Sequence, residues 1–158
     1  LQGYLDFARG ETGEAVEPVV VADLLERHQS EASIKDKQLE IVCPPGMTIR
    51  ARPSALARLV ANIVTNAFRH ADRLLIRATA GADWATITFD DNGPGIPQES
   101  REDVFKPFFR LDQARNLDEA GTGLGLSIAR DIARNHGGDI NLHDSTLGGL
   151  QVIVRMPL

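Results

Sequence analysis

"SALARLVANIVTNAFRHA", residues 54–71, follows Pro53, and its reading decides the fold. Proline suits the first turn of a helix, where its fixed φ helps and its missing N–H costs nothing. Leu56, Leu59, Val60, Ile63, Val64 and Ala67 then recur at helical spacing and form one apolar stripe. Beside that stripe, Asn62, Asn66, Arg69 and His70 follow one another at spacings of 4, 3 and 1. They span roughly 100° of arc at the boundary of the buried face. Asparagine is a mediocre helix former, because its amide competes for backbone hydrogen bonds. Two of them one turn apart therefore invite explanation. As a plain pair of solvated polar residues they carry nothing, and taken alone that reading is as good as a functional one. As a site they offer neutral, hard oxygen ligands. Mg²⁺ on a nucleotide keeps several waters and takes one or two such ligands. Arg69 would meet a phosphate as a fork. His70 either stacks on a base or bonds a phosphate, or answers the helix dipole as an ordinary helix-end histidine.

Downstream, "FDDNGPGIP" (89–97) sets a stiff acidic loop directly after a strand. A carboxylate repels phosphate but accepts well from an uncharged amino group. The loop is thus either an ordinary turn or the floor of a pocket for a neutral, hydrogen-bonding ligand group. "GTGLGLSIA" (121–129) opens a helix with glycines spaced by two, so that backbone N–H groups and the positive helix end approach phosphate closely. The Rossmann fingerprint needs a strand immediately before it, and "LDQARNLDEA" is not one. The Walker A pattern needs a lysine that is absent here. What remains is a phosphate site under a mobile polar segment.

The 158 residues, 42% hydrophobic and 25% charged, suit one globular domain with a sizeable core. A net charge of −5 argues against a nucleic-acid binder. No apolar run approaches the roughly 18–20 residues of a membrane span, and no signal-peptide pattern opens the chain. The lone Cys43 reads as a small hydrophobe at a strand end in a reducing compartment. The chain opens on Leu1 and reads as a fragment of a longer protein, with an upstream anchor left open. "GETGEAVEP" (10–18) reads as a linker. A helix is expected from Ala22 through Ala32, with Asp23 and Glu26 as a capping box and His28 as a packing or boundary residue. "LEIVC" and "MTIRA" read as strands flanking "PPG", and "RLLIRATA" with "WATITFD" as a hairpin facing Leu74, Ile76, Ile87 and Phe89 inward. A short helix follows Pro97, and "GTGLGLSIARDIARNHGG" is a helix stopped at Gly137. "DINLH" and "LQVIVRMP" close the chain as strands. The expected class is α+β, with helices layered on one face of a mostly antiparallel sheet.

In this order the pieces resemble the catalytic ATP-binding domain of sensor histidine kinases, in the GHKL superfamily that includes DNA gyrase. "NIVTNAFRHA" is similar to the N box, "DDNGPGIP" to the first glycine box, "VFKPFFR" to the F box and "GTGLGLSIA" to the second glycine box. "YLDFARGE" resembles the end of a dimerisation helix, and "GGLQVIVRMPL" is most like the porin-regulating osmosensor branch. The resemblance implies a two-layer α/β sandwich of the Bergerat type, with about five strands, three helices and an ATP lid. It implies a division into a dimerisation remnant with linker (1–18) and a catalytic domain (19–158).

Carried over by position, it makes Asn66 the Mg²⁺ ligand, with Asn62 near the phosphates, Arg69 on phosphate and His70 flanking the nucleotide. Asp91 would accept the adenine amino group, with Gly93, Gly95 and Ile96 close to the base. Arg110 would approach the γ-phosphate, and Gly121, Thr122, Gly123, Leu124 and Gly125 would line the triphosphate. Asn62, Arg69 and Arg110 would be the catalytic set. Phe105 and Phe108 are expected to anchor the lid in the core.

Hydrolytic branches of the superfamily carry a glutamate one turn before the metal asparagine. Here that position is Asn62, which is no base near neutral pH. The resemblance thus implies phosphoryl transfer from ATP–Mg²⁺ to a histidine. None of the four histidines, 28, 70, 136 and 143, sits in the family's acceptor context, a histidine followed by an acidic residue early in a dimerisation helix; His143 precedes Asp144 but reads as a strand-end residue. The acceptor is therefore expected on a dimerisation domain outside this chain, and the isolated chain is expected to lack autokinase activity. Implied partners are that domain, in a homodimer, and a response regulator. The implied location is the cytoplasmic side of an inner-membrane sensor. Leu150 stands where relatives carry serine or threonine, and His70 where many carry tyrosine. A nucleotide-sensing module without transfer, and an anti-sigma-type serine kinase on the same fold, are the rival readings.

Overall fold

The computed structural model describes residues 13–109 and 125–158. Three consecutive valines, β-branched and stiff at χ1, lead from strand β1 (Glu17–Val20) into helix α1 (Val21–Glu26). Helix α2 (Gln29–Ile34) follows, then β2 (Gln38–Val42) and β3 (Thr48–Ala51). Helix α3 (Pro53–His70) begins at the expected proline. The β4–β5 hairpin (Arg73–Ala80, Trp84–Asp91) leads to two 3₁₀ turns, Gln98–Ser100 and Asp103–Phe105. Helix α4 (Gly125–Asn135) and the strands β6 (Asp139–Asp144) and β7 (Leu150–Pro157) complete the described chain.

The main sheet has five strands in the order β2-β4-β5-β7-β6, with β2 parallel to β4 and the other pairs antiparallel. Alternation decides its two faces. Leu74, Ile76, Ile87, Phe89, Val152, Val154 and Ile140 are buried toward the helices. Arg77, Thr88 and Ile153 share the opposite face in register. Leu56, Leu59, Val60, Ile63 and Val64 of α3 are at most 1% exposed. At about 1.5–3 kcal/mol for each such side chain, α3 is seated by its stripe rather than by its propensity.

Three expectations are corrected. The segment 10–18 is not all linker, since β1 pairs antiparallel with β3 as a separate two-stranded sheet. The strands flanking "PPG" do not pair with each other. β2 joins the main sheet and β3 joins β1, because the glycine turn at Gly46 (φ +78°) redirects the chain between layers. The single helix from Ala22 to Ala32 is two helices interrupted at Arg27–His28, and Val20 caps the first with no side-chain bond. Asp23 and Glu26 therefore form no capping box. His28 instead faces Glu31 at 3.2 Å.

Helix α3 is fixed at both ends. At its N-terminus the Glu14 carboxylate accepts from the Ser54 N–H at 2.9 Å and from the Ala55 N–H at 3.4 Å. Desolvation pushes the Glu14 pKa upward, but these bonds and nearby Arg52 outweigh it and hold the carboxyl below its usual value. Also at that end, His136 Nε2 accepts from the Arg52 N–H at 3.1 Å, while His136 Nδ1 lies 2.7 Å from the Ile132 carbonyl. At the C-terminus Lys37 donates to the Ala71 carbonyl at 2.9 Å, a cation at the negative end of the helix dipole.

Candidate functional site

The end of the site expected to face the base is built where β5 runs out. Asp91 is the last residue of that strand and is 7% exposed. Its Oδ1 accepts from the Gly93 N–H at 2.9 Å and from the Leu150 N–H at 3.0 Å. Both bonds fall on the same oxygen, and no described residue donates to Oδ2. Burial raises the Asp91 pKa above the ordinary carboxylate range. The two backbone bonds and the neighbouring His70 oppose that rise, and the Asp90 charge adds to it. A buried carboxylate with one oxygen held rigidly and the other without a donor among the described residues is suited to accept from a neutral donor.

The glycines here are needed for close approach. A Cβ on Gly93 would lie 2.8 Å from the His70 carbonyl oxygen and 3.3 Å from Ala71 Cβ. The loop can therefore lie against the end of α3 only with glycine at that position. A Cβ on Gly149 would run into Asp91 Oδ1 and lie 2.6 Å from the Gly93 nitrogen. Gly95 and Ile96 are half-buried, and Ile96 packs against the core.

At the end expected to face phosphate, α4 opens at Gly125, where an added Cβ would stand 3.8 Å from the Asn62 carbonyl. Asn62 and Asn66 are half-buried on α3, while Arg69 and His70 are exposed at its last turn. The structure thus brings Asn62 to Gly125 and His70 to Asp91 and Gly93, along one helix. At about 1.5 Å per residue these two ends lie roughly 12 Å apart. Arg110, Gly121, Thr122, Gly123 and Leu124 lie outside the described residues. Among the described residues no cluster of three or more His, Cys, Asp or Glu side chains is placed to hold a metal. The donors that α3 offers are amide oxygens, which suit a hydrated Mg²⁺ rather than a zinc-type centre.

Of the two phenylalanines expected in the core, Phe105 is buried at 9% exposure. Phe108 is 52% exposed, because its backbone turns to φ +66° directly after Pro107. Phe109 packs against the core in its place. Several supporting groups were not singled out from the sequence. Asp90 is 5% exposed; its Oδ1 accepts from Ser145 Oγ at 2.8 Å and from Gln151 Nε2 at 3.1 Å. This fastens the β6–β7 turn, and the Gly149 N–H donates to the Asp91 carbonyl at 3.1 Å. Asn92 Oδ1 accepts from the Asp72 and Arg73 N–H groups, both at 3.0 Å. The paired glycines of "STLGG" were the only sequence sign of this contact. A groove of about 310 Å³ lined by Pro94, Ile96, Arg101, Asp144 and Gly149 borders the same loop, but Asp91, Asn62 and Asn66 are not among its walls.

Residues 51–158 match the family described as histidine kinase-, DNA gyrase B-, and HSP90-like ATPase. The sensor histidine kinase CpxA of Escherichia coli K12 is 38% identical over 139 residues, covering 87% of this chain and 30% of that protein. The chain therefore spans about a third of the length of such curated relatives. Among solved structures, the ATP binding domain of PrrB from Mycobacterium tuberculosis is 30% identical with a TM-score of 0.71, covering 91% of this chain and 98% of that one. The mycobacterial sensor histidine kinase MprB is 26% identical with a TM-score of 0.77, covering 90% of this chain and 97% of that one.

Proposed function

The chain belongs to the histidine kinase-, DNA gyrase B-, and HSP90-like ATPase family, and from that premise we propose that it is the ATP–Mg²⁺-binding catalytic domain of a two-component sensor histidine kinase. The domain would run from β1 at Glu17 through residue 158, earlier than the boundary at 19, and the residues before it would be a dimerisation-helix remnant with its linker. The observation that supports this most is the arrangement along α3. A buried, half-engaged carboxylate and a glycine loop meet its C-terminal end, while the glycine that opens α4 meets it at Asn62.

In this reading Asp91 accepts the adenine amino group through Oδ2, and His70 flanks the nucleotide. Asn66 would hold Mg²⁺, with Asn62 beside the phosphates and Arg69 as a phosphate fork; Arg110 and residues 121–125 would complete the phosphate contacts. Bound ATP–Mg²⁺ supplies the γ-phosphoryl group and spreads its developing charge. The protein contributes position and charge complementarity. Asn62 cannot take a proton from water near neutral pH, so slow hydrolysis is expected. The acceptor would be a histidine on a dimerisation domain, in a homodimer that relays phosphate to a response regulator aspartate. The domain would sit on the cytoplasmic side of an inner-membrane sensor.

The test mixes the chain, γ-labelled ATP and a separate histidine-bearing dimerisation domain. Acid-labile label on that domain is expected. Bound nucleotide without label would replace the kinase reading with a nucleotide-sensing module. Asn66→Ala should cut transfer about a hundredfold or more, since a catalytic ion supplies several kcal/mol of charge stabilisation. Unchanged transfer would remove Asn66 from the metal.

A further inference from the structure

Helix α4 carries a nearly buried cation that the nucleotide site does not use. The Arg130 side chain is 10% exposed. Its guanidinium lies 4.0 Å from the centre of the Phe105 ring. Nη1 and Nη2 donate to the two Glu102 carboxylate oxygens at 3.0 and 3.4 Å, and Nε donates to Asp139 Oδ1 at 3.0 Å. One side chain thus joins the F-box turn, α4 and the first residue of β6. Only a planar guanidinium offers a two-pronged donor edge, a further N–H and an open face for a ring at once.

Two observations set this apart from simple stabilisation. The Glu102 carboxylate is 80% exposed, and ion pairs with so exposed a partner contribute little to stability. A forked pair there adds geometric specificity to whatever energy it contributes. The second is that α4 opens at Gly125 against the Asn62 carbonyl. Any tilt of α4 relative to the F-box turn is therefore felt at the asparagine helix. We propose that Arg130 is a positioning residue for phosphoryl transfer, holding the Glu102–Phe105 turn to α4 and so setting the phosphate end of the site against α3. The proposal rests on the kinase reading above. Arg130 touches no reacting atom and acts through Glu102 and Phe105. Small misplacements of reacting groups cost rate steeply.

The exposed partner gives a variant that should fold. With the chain, Mg²⁺–ATP and a separate dimerisation domain, Glu102→Gln should lower the maximal transfer rate about tenfold. Its nucleotide affinity should stay within about twofold and its melting temperature should not change. Glu102→Asp should recover part of the rate, and Arg130→Lys should fall below Glu102→Gln because it also loses the ring face. Without any acceptor, amide exchange over Leu126–Ala129 should quicken in Glu102→Gln. A full transfer rate in Glu102→Gln overturns the proposal. So does a loss that follows nucleotide affinity or melting temperature, and so does unchanged exchange. If the parent binds ATP but transfers nothing, the kinase reading fails and the role in transfer fails with it. The exchange arm still reports whether Glu102 and Arg130 hold α4.

Discussion

Asp91 shows how much one side chain's chemistry depends on which of its oxygens is already engaged. Asparagine at this position can still accept both backbone N–H groups through Oδ1, from Gly93 and Leu150. It also removes a charge that burial disfavours. Asp91→Asn should therefore melt no lower than the parent, yet lose its preference for ATP over GTP, because an NH₂ would then face the adenine amino group. Competition binding with the two nucleotides, beside a thermal melt, checks both halves. The pH dependence has a definite sign. The folded pKa is raised, so the buried charge costs stability above it, and this cost is relieved as pH falls through it. Binding moves the other way, since a protonated Oδ2 offers a donor to a donor. ATP affinity should begin to fall at a pH above the ordinary aspartate range, and Asp91→Asn should abolish that dependence. The stiff acidic loop was legible from "DDNGPGIP", whereas what Gly93 packs against was not. The loop composition reveals a tight turn, but only the folded chain shows its missing side chain filled by the His70 carbonyl.

At the scale of the element, α3 was legible almost whole. Its proline start, apolar stripe and polar shoulder are all local, periodic signals. The groups that fix its ends were not, because they come from far along the chain. His136 sits 84 positions from Arg52, and Glu14 sits 40 from Ser54. The misread helix at 22–32 and the overlooked strand β1 share a cause. Short elements carry little periodic signal, and tertiary pairing decides them. His136→Ala should cost about 1–2 kcal/mol by denaturant melt, since it leaves the Arg52 N–H without its acceptor. His136→Gln, which keeps an acceptor, should recover part of that loss. An unchanged melt for the alanine variant would show that water replaces the imidazole without penalty.

For the whole molecule, helices layered on one face of a mostly antiparallel sheet, with a hairpin of β4 and β5, were expected from the sequence, and the five-stranded sheet agrees with that reading. The parallel pairing of β2 with β4 was invisible to alternation, which is blind to direction. A ligand that joins the base end, the phosphate end and α3 binds the native state and not the unfolded chain. ATP–Mg²⁺ should accordingly raise the melting temperature, by an amount that grows with the logarithm of its free concentration once above Kd. Calorimetry at several concentrations checks this, and a shift that does not grow would place the ligand elsewhere.

The hold of Leu150 on Asp91 also sets an order of events during synthesis. Asp91 leaves the ribosome 59 residues before the amide that orients it. In between come α4, β6 and the turn that brings Gly149 under the carboxylate. β7, which carries that amide, then enters the middle of the sheet between β5 and β6. A nascent chain halted before β7 would own every residue assigned to the base and still have no pocket for it. Nucleotide binding would then report the completion of translation through β7, and the domain would acquire its ligand in a single late step.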